Sequence, residues 1–393
     1  MNKYNFDEVI DRKNTNSLKW DYAKRRGKPE DVIPLWVADM DFKAPKEVID
    51  ALIAKASHGI FGYSEPMDDY FDALANWVIN HYYWNPEKRK FVLTYGVVGG
   101  ICTLINVITN EGDGILINQP VYYPFMESII ENKRKLVTSN LVYKDYKYEI
   151  DFIDLENKIK NENVKLYLLC NPHNPVGRVW KKEELQKISD ICKKYHVFVL
   201  SDEIHADFIY KNYKFTSFES VDDLDYAAIA TAPSKTFNLA GLHNANIYIK
   251  YDSIRRRFRH ELNKEGYSQS NIMGIISCQA AYQYGSDYHK ELLEYLENNL
   301  DFVRNYLNNK INKIKLIEPE GTYLIWLDCS GLGLSDKDLN NLILNKAKLW
   351  IDEGNIFGKS GENFIRINIA TQKSLLNKAL DNLYEALKEE NLL

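Results

Sequence analysis

Residues 165–178 read KLYLLCNPHNPVGR. An unbroken apolar run stops at two Asn-Pro pairs and a glycine. A short apolar run bounded in this way is a strand buried on both faces, and the Asn-Pro pairs with Gly177 make a rigid turn. The pattern recurs downstream. VFVLS (197–201) stops at Asp202, and AAIAT (227–231) stops just before Pro233, Ser234 and Lys235. GILINQ (114–119), FVLT (91–94) and ANIYIK (245–250) read as further strands. Between two of the runs lies KKEELQKISDICKKYH (181–196), where Leu185, Ile188, Ile191, Cys192 and Tyr195 recur at helical spacing. Strand, helix, strand in this order predicts parallel strands under helices, joined by right-handed crossovers. Pro45 can open a helix over KEVIDALIAKA, where its missing N–H costs nothing.

The last third changes character. HKELLEYLENNLDFVRNYLNNK (289–310) carries a stripe at Leu292, Leu296, Leu300, Val303 and Leu307, which is a long amphipathic helix. TYLIWLDCS (322–330) and FIRINIA (364–370) read as strands, and a closing helix runs around Leu376, Leu380, Leu383 and Leu387. The expected organisation is an N-terminal segment (1–45), a large α/β domain with a mostly parallel central sheet flanked by helices (46–280), and a smaller α/β domain (281–393) on which the N-terminal segment packs.

Composition narrows the class. The chain has 393 residues, 45% hydrophobic and 27% charged, an ordinary mix for a globular protein. A formal net charge of −5 gives no reason to expect nucleic acid or an anionic membrane as partner. The arginines at 255, 256, 257 and 259 read as a solvated helix face. Five cysteines, odd in number and far apart, include no Cys-x-x-Cys pair, so neither a disulfide framework nor a metal site is expected. The N-terminal residues MNKYNFDEVIDRK are polar and no apolar run is long enough to span a bilayer, so the expected location is the cytoplasm.

The chemistry starts from coincidence. Asp202 alone could be a helix cap or half of a buried ion pair. Lys235 alone could be solvated, and Asn174 alone could be a turn residue. All three, however, sit at the ends of three expected strands, and in open α/β sheets ligands bind outside the strands' carboxyl ends. If those strands are neighbours, an amine, an acid and an amide share one crevice. Pyridoxal 5′-phosphate (PLP) needs that set. Its aldehyde requires a lysine amine, its ring nitrogen a buried carboxylate, and its phenolic oxygen a hydrogen-bond donor. Its phosphate requires clustered backbone amides, ideally at a helix start. TYGVVGGICTLI (94–105) offers one: Gly96, Gly99 and Gly100 open an apolar helix, with the N–H groups of Val97 and Val98 at its start. Taken alone, that turn could equally serve tight packing.

Here the sequence resembles a known family. NPHNPVGR, SDEIHADF and SKTFNLAGL, in that order and spacing, resemble the fold-type I PLP enzymes of the class I/II aminotransferase superfamily. WVADMDF (36–42), FGYS (61–64), SDEIH (201–205) and FIRIN (364–368) resemble the bacterial C–S lyases of the MalY/PatB type, which are cystathionine β-lyases. The likeness runs from about Phe6 to the C-terminus. It implies that Lys235 is the Schiff-base lysine, Asp202 the pyridinium partner and Asn174 the donor to the phenolic oxygen, with Asn171 structural. It implies that Tyr122 stacks on the ring, a role that the surrounding motifs favour over plain core packing. Ser234 is implied as a further cofactor contact. Arg366 would grip the substrate α-carboxylate, for which a planar bidentate donor is suited. Tyr63 would reach the cofactor phosphate of the other subunit of a homodimer. Two positions depart from the wider superfamily. His205 stands where many aminotransferases have a tyrosine, and it either donates to the phenolic oxygen or supports a neighbour. His243 stands where many relatives place an arginine on the phosphate.

The expected reaction is β-elimination from cystathionine or a related cysteine S-conjugate. Lys235 would take the Cα proton, a thiolate would leave Cβ, and the product would hydrolyse to pyruvate and ammonia. An aminotransferase would use the same residues, and a PLP-binding regulator acting through a protein partner is a reading of another class. A dinucleotide-binding oxidoreductase is disfavoured, because GVVGG does not match Gly-x-Gly-x-x-Gly.

Overall fold

The computed structural model describes residues 3–393, so the first two residues of the expected 1–45 segment lie outside it. A seven-stranded sheet runs in the order Phe91–Thr94, Ala245–Tyr248, Ala227–Thr231, Phe198–Asp202, Val164–Cys170, Gly114–Ile117, Lys135–Thr138. The pairings from Ala227–Thr231 to Lys135–Thr138 are all parallel. The expectation of a mostly parallel sheet flanked by helices is met.

One strand runs against the rest. Ala245–Tyr248 is antiparallel to both its neighbours. The connection into it, residues 232–244, holds only a single 3₁₀ turn at Ala240–Leu242. Without a crossover helix the chain returns on the same side and must reverse.

Alternation along the strands builds two cores. Leu166, Leu168, Phe198, Leu200, Ala228 and Ala230 face one apolar cluster, which includes Ile101, Leu104 and Ile105 of the helix Val97–Ile108. Tyr167, Leu169, Val199, Ala227 and Ile229 face the other, with Leu185 and Ile188 of the helix Lys182–Lys194. A period of two on a sheet covered on both faces gives this division.

The second core continues into a four-stranded antiparallel sheet, ordered Lys315–Ile317, Leu324–Asp328, Phe364–Asn368, Asp352–Glu353. The helices Ser286–Lys310 and Lys373–Glu389 bury the leucine stripes anticipated for them. Near the other end of the chain, Ile33–Pro34 pairs in parallel with Leu349–Trp350. Among the described residues no helix is long and apolar enough to cross a membrane.

Candidate active site

Parallel register brings three strand ends together. Cys170 is the Cα partner of Asp202, and Asp202 is the partner of Ala230. The turns that follow these strands therefore leave one edge of the sheet side by side, carrying Asn174, Asp202 and Lys235. All three line one cavity of about 290 Å³. Val97, Val98, Tyr122, His205, Ser234 and His243 line it as well.

Asp202 is 3% exposed. Its Oδ1 accepts from Ile204 N at 3.1 Å, so it caps a local turn. Among the described residues no basic side chain lies within ion-pair distance of it. Burial pushes this carboxyl up to about 7, against the weaker pull of the Ile204 N–H and of Lys235. A buried acid in that condition calls for a cation.

Lys235 donates from Nζ to the carbonyl of Ala38 at 2.9 Å. Burial first, and the charge of Arg366 second, lower its amine to about 8. The amine can therefore lose its proton near neutral pH, as a nucleophile or base must.

Arg366 lies in the middle of Phe364–Asn368 and is 2% exposed. Its cross-strand partners are Trp326 and Asp352. Register puts Asp352 on the same face, and its carboxylate pairs with Arg366 Nη2. That nitrogen also donates to Trp36 O at 2.8 Å, and Nη1 donates to Asn174 Oδ1 at 3.0 Å. The guanidinium carbon sits 4.9 Å from the Phe357 ring centroid. Its Nε is buried and has no partner.

A collar of hydrogen bonds holds residues 36–42 against this group. Asn368 Nδ2 donates to the carbonyls of Val37 and Asp39, and Tyr323 Oη donates to Ala38 O at 3.0 Å. Asn238, just past the lysine, accepts from Met40 N and donates to the carbonyls of Met40 and Phe42. The segment that receives the Lys235 and Arg366 donors is thus fixed from both sheets.

At the rim, the helix Val97–Ile108 starts with its first N–H groups beside the cavity. Gly96 caps it at φ 117°, ψ 162°, a conformation that only glycine adopts without strain. His205 is 3% exposed, its Nδ1 has no partner, and burial and the charges of Lys235 and Arg366 keep it uncharged. These features suit PLP: an amine for the aldehyde, an uncompensated acid for the ring nitrogen, and a helix start for the phosphate.

Residues 30–383 match the family model for class I and II aminotransferases. The chain belongs to that family. Among its curated relatives, cystathionine beta-lyase PatB of Bacillus subtilis (strain 168) is 37% identical over 385 residues, covering 98% of this chain and 100% of PatB. Cystalysin from Treponema denticola, solved with pyridoxal 5′-phosphate, superposes with a TM-score of 0.94 at 38% identity, covering 98% of this chain and 99% of its own. A PLP-bound C–S lyase from Staphylococcus hominis, complexed with L-cycloserine, gives 0.93 at 33% identity, covering 99% of this chain and 100% of its own.

Within this member of the family, two expected site residues do not line the cavity: Arg366, which touches its wall through Asn174, and Tyr63. Tyr63 is 95% exposed and lies beside Tyr267 and Asn271 in a separate surface depression, not in the cavity. Asn171 is held away from the ring site, since its Nδ2 donates to Thr216 O at 2.9 Å. Sequence reading missed Asp352, Tyr323 and the Ala38 carbonyl. Asp352 had no readable signal, because only strand register identifies it as the partner of Arg366. Asn368 stands two residues after Arg366 in FIRIN, and that period of two could have suggested a shared face.

Proposed function

We propose that this chain is a PLP-dependent carbon–sulfur lyase that eliminates a thiol from cystathionine or a related cysteine S-conjugate, leaving pyruvate and ammonia. The observation that carries the proposal is the convergence of the Lys235 amine, the Asp202 carboxylate and the Asn174 amide on one cavity from three adjacent strand ends.

Lys235 would hold the cofactor aldehyde, and its free amine would take the Cα proton. An amine lowered to about 8 is suited to both tasks. Asp202 keeps the ring nitrogen protonated. Bound PLP supplies an electron sink for the pair left at Cα. Asn174 spends its Oδ1 on Arg366, which leaves its amide N–H groups for the phenolic oxygen. Arg366 receives the substrate α-carboxylate and, held by three acceptors, fixes which bond at Cα faces the ring plane. Tyr122 covers the ring. Val97, Val98 and Ser234 hold the phosphate, with His243 at the position where relatives often have arginine.

The same reading includes a homodimer in which Tyr63 reaches the phosphate of the other subunit. The support is an exposed apolar surface around it: Ile60, Phe61 and Met67 are 65%, 60% and 76% exposed. A cytoplasmic setting agrees with five unpaired cysteines.

The test is pyruvate release from L-cystathionine by purified protein without an oxo-acid acceptor. Turnover under those conditions supports elimination. A silent assay that becomes active only on adding an oxo acid would make the chain an aminotransferase instead.

A further inference from the structure

The carbonyl that receives the Lys235 amine belongs to a short stretch, residues 38–41, that is held from two sides. Ala38 O accepts from Lys235 Nζ at 2.9 Å and from Tyr323 Oη at 3.0 Å. The next two carbonyls are each held by an asparagine close in sequence to Arg366 or Lys235 and by a cation of the N-terminal segment. Asp39 O accepts from Asn368 Nδ2 at 2.7 Å and from Lys19 Nζ at 3.3 Å. Met40 O accepts from Asn238 Nδ2 at 2.8 Å and from Arg12 Nη1 at 3.1 Å.

The carboxylates of Asp39 and Asp41 complete the arrangement. Arg12 spans both oxygens of Asp39, at 3.1 and 2.8 Å, and reaches Asp41 Oδ1 at 2.7 Å. Lys19 is fully buried and pairs with Asp41 Oδ2 at 2.8 Å, while Trp20 Nε1 donates to Asp41 Oδ1 at 2.9 Å. Burial pushes the Asp41 carboxyl up, but the charge of Lys19 and the donors of Lys19, Trp20 and Arg12 outweigh it and hold the group below the ordinary carboxylate range. Two cations thus meet two anions. Buried charges are a costly route to stability, since apolar groups of the same size often serve as well. What they supply is direction: charge-assisted bonds of fixed geometry hold the backbone just beyond Ala38.

We infer that Arg12 and Lys19, acting through Asp39 and Asp41, are positioning residues for Lys235, because they fix the Ala38 carbonyl on which its amine rests. The N-terminal segment is then a working part of the active site as well as a packing element. The inference rests on Lys235 being the cofactor lysine.

Charged and titratable groups face that amine from each side: Arg366 from the small sheet, Asp202 and His205 from one strand end and its turn, and Asp39 from the held stretch. Burial and the charge of Arg366 lower the amine, and the charges of Asp39 and Asp202 oppose them. Asp39→Asn removes an opposing charge and loosens the carbonyl that accepts from the ammonium. Both effects favour the uncharged amine.

The experiment follows PLP capture by the full-length apoprotein against pH, through visible absorbance, in wild type, Asp39→Asn and Arg12→Lys. The wild-type midpoint is expected at about 8. Asp39→Asn should lower it by about half a pH unit, the scale of one partly exposed charge, so that capture at pH 7, relative to its alkaline plateau, becomes about threefold faster. Arg12→Lys keeps the charge but cannot span two oxygens, so its midpoint should fall by less. If Asp39→Asn does not fold, Arg12→Lys decides alone. Unchanged midpoints in folded protein, with or without lost thermal stability, would leave the cluster a fold-holding role and overturn the inference. A pyridoxyl label on another lysine after borohydride reduction would instead overturn the reading of Lys235 on which it rests.

Discussion

Arg366 Nη1 donates to Asn174 Oδ1 at 3.0 Å, joining a strand of the small sheet to the turn after a strand of the large one. The proposed substrate clamp and the proposed donor to the cofactor are thereby one hydrogen-bonded unit. Replacing Arg366 by Gln should lower kcat/KM by about 100-fold, the scale of one or two charge-assisted hydrogen bonds. Cofactor absorbance should persist, shifted slightly because Asn174 loses a partner. Steady-state kinetics and a visible spectrum check both.

Asp202 should act on chemistry more than on cofactor retention. Asp202→Asn removes the buried acid proposed to face the ring nitrogen and is expected to cost about 3–4 kcal/mol, or roughly 10²- to 10³-fold in kcat. Turnover per bound cofactor is the quantity to measure. Unchanged kcat would remove the carboxylate from the mechanism.

Lys235 sets a pH dependence. Its amine is lowered from 10.5 to about 8, so the uncharged form grows as pH rises through 8. At pH 7 roughly one amine in ten is then uncharged, far more than for an ordinary lysine. Capture of PLP by the apoprotein should accelerate from pH 7 through pH 8 and level off only above about pH 9. Arg366 is the second cause of the lowering, so Arg366→Gln should move the midpoint upward.

Subunit exchange tests Tyr63. In a mixed dimer of Lys235→Ala and Tyr63→Ala chains, one site pairs an intact Lys235 with the partner's intact Tyr63. Mixing two weakly active variants should therefore restore activity, up to one full site per mixed dimer. Activity no greater than the sum of the separate variants would mean that Tyr63 does not act across an interface.

Glu203 is a stability element behind the site. It is fully buried and accepts from Ser201 Oγ at 3.0 Å, Ser217 Oγ at 2.8 Å and Phe218 N at 2.8 Å. Glu203→Ala would leave these donors without an acceptor, at a cost of about 3 kcal/mol. The urea midpoint should fall with an unchanged slope.

Much of this was legible in the chain, for identifiable reasons. Val164–Cys170, Phe198–Asp202 and Ala227–Thr231 are buried on both faces, so each reads as a continuous apolar run. Their ends marked the polar residues that meet at the cavity. Strand direction was not legible in ANIYIK, because hydrophobic periodicity carries no polarity. Lys135–Thr138 escaped notice, since a four-residue edge strand with only Val137 buried has little signal. The hairpin Leu141–Lys144 with Lys147–Ile150 is short and mostly exposed, and it gave as little signal. Asp202 shows how two readings can both hold: it caps Ile204, as a plain acid would, and also faces the cavity without a cation.

Borohydride reduction of the PLP-loaded protein, followed by peptide mapping, tests the central claim most directly. The account predicts a pyridoxyl group on the peptide that contains Lys235 and on no other. A label on a different lysine, or none at all, would contradict it.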